Sequence, residues 1–165
     1  MNFLVFIYFK VNIYFQKYPI RLLYLHSMAL LVKTSQLPNS GKGLFTTTAI
    51  KKGERVIEYE GEMIDWKEYE KRVELDHDGY LFFINKKHCI DAFNTPQFKA
   101  RFANDASGLG KVKGMKNNCV YDIVKKKCYI LATKDIAAGE EIFVSYGKDY
   151  WDSVRYNIKI GRHKI

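Results

Sequence analysis

Five short segments of the chain carry residue types able to do chemistry. Gly41-Lys42-Gly43 can bring a bare backbone close to a ligand. Tyr59-Glu60-Gly61 ends a strand-like run with a phenol nearby. Arg101-Phe102-Ala103-Asn104 puts a polar amide at the end of an aromatic-flanked stretch. Asn117-Asn118-Cys119-Val120-Tyr121-Asp122 leads from turn residues into a strand. Gly139-Glu140-Glu141-Ile142-Phe143-Val144-Ser145-Tyr146-Gly147 is a turn and strand closing on a tyrosine. Taken singly, each has an ordinary reading: a turn, half-buried tyrosine packing or an asparagine helix cap. Metal chemistry lacks its residues. Cys89, Cys119 and Cys128 form no C-x-x-C pair, and the four histidines are scattered. The adjacent His88-Cys89 is poor geometry for one tetrahedral ion, so no metal site is expected.

The elements that must position these segments are short. Residues 30–34, 44–48 and 55–60 read as strands separated by Gly- and Lys-rich turns. Asp65 can cap a helix, with Glu68 at the capping-box position and Trp66, Tyr69 and Val73 on one face. Residues 80–85 and 88–92 form a hairpin across Lys86-Lys87. Residues 120–124 and 128–133 form a second around Lys125-Lys126-Lys127. Short helical turns are expected within 95–102, a loop over 106–117, and a last strand over 142–146. The pattern predicts a mostly-β fold with one clear helix. At 165 residues, 47% hydrophobic and 27% charged, the chain has material for one domain with a real core, which excludes wholesale disorder. A net charge of +9 favours acidic partners, nucleic acid among them. No stacking platform or recognised nucleic-acid motif accompanies it, so no direct nucleic-acid site is evident.

The order of the five segments is more specific than any one of them. G-x-G, a strand, Y-x-G, R-F-x-N, N-C and G-E-E-I-x-x-x-Y-G in series resembles the SET-domain protein lysine methyltransferases. The resemblance spans roughly residues 30–151. It is greatest to the small, minimal SET proteins of bacteria and large DNA viruses, which end near a Y-G-x-x-Y-W stretch, here Tyr146-Gly147-Lys148-Asp149-Tyr150-Trp151. It implies a SET-domain fold of short β-sheets with few short helices. Its C-terminal segment would thread beneath the R-F-x-N loop as a pseudoknot, an exception to the rule against threading.

The resemblance also implies a cofactor, S-adenosyl-L-methionine, and roles for single residues. The Lys42-Gly43-Leu44 backbone would lie along the cofactor. Arg101 and Phe102 would lead into its site, Asn104 would bond its amino group, and Asp105 would adjoin it. Tyr146 would be the catalytic tyrosine. Tyr59 and Tyr121 would line the lysine channel or bond the target amine, and Tyr150 and Trp151 would close the walls. The residue types suit methyl transfer from a sulfonium, which needs no acid, metal or covalent intermediate and gains most from positioning. The attacking amine must be neutral, whereas a free lysine has a pKa of about 10.4. A dry aromatic channel beside a positive sulfonium disfavours the ammonium form, and aromatic walls still hold the cation on entry. By the same resemblance, Val144, two residues before Tyr146, would occupy the site where Phe or Tyr often tunes how many methyls are added. Tyr121 can refill the room Val144 leaves, so mono-, di- and trimethylation stay open.

The chain departs from the family's pattern in places. Asn104-Asp105 stands where Asn-His is usual, losing ring packing and placing a carboxylate near the cofactor. That motivates an alternative: a SET-fold protein with weak or no catalysis that binds cofactor or partner proteins. A second alternative is a basic nucleic-acid-binding protein. The loop over 106–116, with Lys111, Lys113 and Lys116, is an insertion that serves as a substrate-contacting lid or as a solvated loop. Three regions follow: an aromatic extension over 1–27, a SET domain over 28–152 beginning at Met28, and a basic tail over 153–165 expected to be a solvated terminus or a nucleic-acid arm. The extension holds Lys10, Lys17 and Arg21 and no acid. Its polar interruptions argue against a membrane span. It would be an added strand or helix, a weak membrane-surface segment, or no part of the working protein. The expected partner is a protein with a target lysine, histone-like, DNA-associated or ribosomal, with a homodimer also open. The expected compartment is the cytoplasm in a bacterium or the nucleus in a eukaryote.

Overall fold

β-branched and aromatic runs broken by turn formers give antiparallel hairpins, and three of them build this molecule. A computed structural model of the chain describes residues 29–75 and 79–161. The extension over 1–27, its Met28 boundary and the tail residues Arg162, His163 and Lys164 lie outside the described residues. β1 (Leu30–Thr34) pairs with β2 (Lys42–Thr46), Leu30 opposite Thr46. The turn between them uses two left-handed residues, Asn39 at φ 59° and Gly41 at φ 62°. β3 (Arg55–Glu58), β8 (Lys127–Ala132) and β7 (Cys119–Val124) form the second sheet in the order β3-β8-β7. The third holds β4 (Glu62–Asp65), β6 (His88–Asp91) and β5 (Leu81–Asn85), in the order β4-β6-β5.

Both expected hairpins are present, each shifted by a residue or so at its ends. Asn85 closes the β5–β6 turn, its side-chain oxygen accepting from the Lys87 and His88 amides at 2.8 and 3.1 Å. Helix α1 (Trp66–Glu74) begins where expected, with the Asp65 carboxylate accepting from the Glu68 amide at 2.9 Å. Trp66 and Tyr69 stack, and Phe83 of β5 packs against both. Arg72 ties α1 to the third sheet by reaching Asp91, Glu62 and Glu68. A 3-10 turn, Lys99–Phe102, realises the expected helical turns. The core lies where the three sheets meet, and Leu30, Leu44, Val56, Ile130, Ile142 and Val144 are shut off from solvent. No helix among the described residues is long and apolar enough to cross a membrane.

Two sequence expectations need correction. Residues 142–146 are not a ladder strand. Their segment makes single bridges: Glu141 with Phe45, Phe143 with Asn104, and Val144 with Cys119. The segment is threaded between the 104 and 119 backbones: the Val144 amide donates to Asn104 O at 2.8 Å, and the Cys119 amide donates to Phe143 O at 2.9 Å. It meets a different neighbour at each step, so no continuous register forms. The second correction concerns the tail. Helix α2 runs Lys148–Lys159, through the stretch expected to be solvated or an arm. Gly147 at φ 90° turns the chain into it, Lys148 pairs with Asp152, and Arg155 follows at 3.4 Å. Val154 is buried, and Trp151 and Ile158 are half-buried. Residues 151, 154 and 158 stand at helical spacing, a pattern the basic side chains obscure.

Candidate active site

The threaded segment delivers Tyr146 to the end of a cleft of about 860 Å³. Asn104, Asp105, Tyr146, Tyr150, Trp151 and Arg155 are among its lining residues. Three rings form one wall. Trp151 stacks on Tyr146 with centroids 5.9 Å apart and planes 10° apart. Tyr150 meets both edge-on at 5.0 Å. The Tyr146 hydroxyl donates to Ala103 O at 2.8 Å, which fixes the phenol beside the turn that carries Asn104. The Asn104 amide donates to Lys42 O at 2.9 Å, joining β2 to the cleft.

A second aromatic group packs on the same core cluster as Tyr146. Tyr59 is buried and meets Tyr121 edge-on at 5.9 Å. Phe82 lies 4.4 Å from Tyr121 and 5.6 Å from Tyr59. The Tyr59 hydroxyl donates to Tyr80 O at 3.2 Å. Burial pushes the phenols of Tyr59, Tyr121 and Tyr146 well above the ordinary tyrosine value. Tyr59 and Tyr146 are each close enough to raise Tyr121 further. All three phenols therefore stay neutral near pH 7, as donors and acceptors rather than bases. Tyr146 packs on the same core cluster as Tyr59, Phe82 and Tyr121.

The structure thus brings Tyr59, Tyr121, Tyr146, Tyr150, Trp151, Asn104 and Asp105 together. Val144 is fully buried behind them. Gly43 lies against the Glu141 carboxylate, where an added Cβ would stand 2.1 Å from Oε1. The Leu44 side chain is core, and its carbonyl accepts from the Ile142 amide at 2.7 Å. Phe102 packs half-buried on the core, with the Lys42 ammonium 5.9 Å from its ring centre. Arg101 is drawn elsewhere. Its guanidinium lies 3.6 Å over the Tyr80 ring and donates to the Ala92 and Phe93 carbonyls, away from the residues lining the cleft.

Sequence reasoning missed four contributors. Phe82 and Tyr80 looked like ordinary strand residues, although their alternation in one hairpin was a usable signal. Buried Glu141 accepts from the Ser35 hydroxyl and the Gln36 amide, both at 2.7 Å, and so pins the β1–β2 turn beside the cleft. Asn117 braces the loop over 106–117. Its oxygen accepts from the Ala106 amide and its nitrogen donates to Asp105, at 2.8 and 2.7 Å. Asp105 itself is 5% exposed and accepts four hydrogen bonds. Oδ1 takes the Ser107 amide and the Asn117 amide nitrogen, both at 2.7 Å. Oδ2 takes the Tyr146 amide and the Trp151 indole, both at 2.8 Å. The carboxylate is turned into the protein and spent on its own donors.

Residues 41–147 match the family model described as the SET domain. The histone-lysine N-methyltransferase EZ1 of Zea mays is 32% identical over 114 residues, 65% of this chain and 11% of that protein. The histone-lysine N-methyltransferase set-1 of Caenorhabditis elegans is 29% identical over 125 residues, 71% of this chain and 50% of that protein. Among solved structures, an active polycomb repressive complex 2 in the stimulated state superposes with a TM-score of 0.61 at 32% identity, over 73% of this chain and 15% of that one. The chain spans at most half the length of these relatives.

Proposed function

The chain belongs to the SET-domain family, and from that premise we propose that it is an S-adenosylmethionine-dependent protein-lysine N-methyltransferase. The observation that carries this reading is the position of Tyr146, in the wall of an aromatic cleft bearing Asn104 and packed on the same core as Tyr59, Phe82 and Tyr121. The cleft suits the methyl donor and the Tyr59–Phe82–Tyr121 cluster the lysine.

The cleft fits the donor by two observations. Its volume of about 860 Å³ lies within the range of small-molecule sites. Its wall offers three stacked or edge-on aromatic rings, which attract cationic groups such as a sulfonium. Asn104, Asp105 through its main chain, and Trp151 of the lining would hold it; the Lys42-Gly43-Leu44 backbone stands outside the lining and is tied to it through the bond from Asn104 to the Lys42 carbonyl. When bound, S-adenosylmethionine supplies an electrophilic methyl group. The protein's own residues do the rest. Tyr59, Phe82 and Tyr121 wrap the lysine stem and exclude water, which disfavours the ammonium form. Tyr146, held neutral by burial, orients groups through its hydroxyl and the Ala103 carbonyl. Displacement at a methyl carbon then depends on alignment, which such walls provide.

The Asn104-Asp105 departure no longer favours an inactive binding protein, because the Asp105 carboxylate is fully bonded within the protein. The substrate class we propose is a protein presenting an exposed lysine, with histones the first to try. The test incubates the full chain with S-adenosylmethionine labelled in its methyl group and with core histones, beside a Tyr146→Phe control. Label on lysine that the control loses supports the reading. Cofactor binding with no label on core histones, or on lysate proteins incubated in the same way, would overturn it.

A further inference from the structure

Where its family usually has histidine, this chain places Asp105 at the meeting point of three segments. Its two oxygens collect four N–H donors, two each, from Ser107, Asn117, Tyr146 and Trp151. Ser107 and Asn117 are the two feet of the 106–117 loop. Tyr146 ends the threaded segment, and Trp151 lies in the first turn of α2. Gly108 sits on the Trp151 ring so closely that a Cβ there would stand 2.3 Å from it. Leu109, Gly110 and Lys111 of the same loop line the cleft.

We infer that Asp105 is a positioning residue which clasps the 106–117 loop, Tyr146 and Trp151 into one rigid cleft wall, making the inserted loop part of the methyl-transfer site. The inference rests on reading the cleft as the cofactor site and goes further, because it assigns the loop and the acid a joint task. The geometry requires a carboxylate. An asparagine in either orientation turns its NH2 toward two N–H donors and loses two of the four bonds. Histidine offers one acceptor nitrogen at most. The loop is therefore not a free lid. Its feet are bonded to the same oxygens that hold the tyrosine.

The test has a readout independent of turnover. The chain has two tryptophans, and Trp66 lies on α1 away from the cleft, so Trp66→Phe leaves Trp151 as sole reporter. In that background Asp105→Asn should red-shift the Trp151 emission of the ligand-free protein and increase its quenching by acrylamide. On core histones it should lower kcat roughly tenfold to a hundredfold, the scale of a misplaced group, with histone KM within about threefold. A residue that only stabilised the fold would lower the melting temperature and leave emission and kcat of the folded protein unchanged. That outcome overturns the inference. Should Asp105→Asn fail to fold, Asn117→Ala tests the same clasp from outside the cleft lining. It removes one donor to Asp105, and Trp151 emission and kcat should both move, whereas no change in either overturns the inference. A parent protein that transfers no methyl defeats the methyltransferase reading alone, and Trp151 emission still decides the role of Asp105.

Discussion

Tyr146→Phe deletes one hydroxyl and leaves the ring. The lost bond runs to Ala103 O at 2.8 Å, and Ala103 is 1% exposed. A buried acceptor left without its donor costs about 1–2 kcal/mol. The stacking on Trp151 and the edge contact with Tyr150 do not depend on the hydroxyl, so packing is preserved. For a chain of this size the melting temperature should fall by roughly 3–8 °C. A domain of ordinary stability, about 5–15 kcal/mol, stays folded at assay temperature after such a loss. Any fall in rate is then chemistry. The hydroxyl's one proton is committed to Ala103 O, so the reaction loses an aligned oxygen, and removing one preorganised polar group at a reacting centre lowers kcat by about 10²–10³. The assay measures label transfer to core histones at saturating donor, with donor affinity by calorimetry and melting followed in parallel. The expected pattern is a large drop in kcat, a modest drop in melting temperature and nearly unchanged donor affinity. Turnover within about threefold of the parent would refute the assignment of the hydroxyl to the reaction.

Three further outcomes follow from features away from the reaction. Arg72→Ala should destabilise by about 3–5 kcal/mol in urea unfolding, because Asp91 is 2% exposed and loses its cationic partner; a loss below about 1 kcal/mol would contradict this. Gly61→Ala should cost about 1–3 kcal/mol, since its Cβ would stand 2.4 Å from the Asp91 carbonyl, and an unchanged unfolding midpoint would show that the strands yield freely. Stability should fall in alkali. Burial pushes the Cys89 thiol up to about 11 and those of Cys119 and Cys128 to about 12, from an ordinary 9.0, and the three phenols also rise. The folded state then keeps protons the unfolded chain releases. The contribution is fully present below pH 9 and is lost above it at about 1.4 kcal/mol per pH unit for each group titrating. A melting temperature flat from pH 8 to pH 10.5 would refute it.

The hairpins and α1 were legible because their signals are local. Asn85 and Lys86-Lys87 sit between alternating apolar runs, and Asp65 caps what directly follows it. The order of the glycine, tyrosine and asparagine segments was legible for the same reason. Residues 142–146 show the limit. Their β-prone side chains say nothing of how many partners the backbone will meet, and here Phe143 bridges Asn104 and Val144 bridges Cys119, just after Glu141 bridges Phe45. Helix α2 was hidden by its start at Gly147, which supplies no side-chain cap, and by basic residues along a face whose apolar positions are few. Asp105 was conspicuous as a residue type, but its donors lie from 2 to 46 residues away. Proximity in sequence could suggest only a charge near the cofactor, not a carboxylate already consumed.

The threading of the 141–146 segment governs the order in which this protein can come into being. Asn104 and Cys119 flank Phe143 and Val144 on opposite sides, so both must be near their final places before that segment can lie between them. Contacts of such long sequence separation form late, after loop-closure entropy has been offset by the earlier hairpins. The expected order is sheets first and the Tyr146 segment last. A state with intact hairpins and an undocked segment from residue 141 onward would have native-like sheets and no Tyr146 in the cleft. Under the methyltransferase reading proposed above, activity during refolding should lag behind the recovery of β-sheet signal and so report the final docking step.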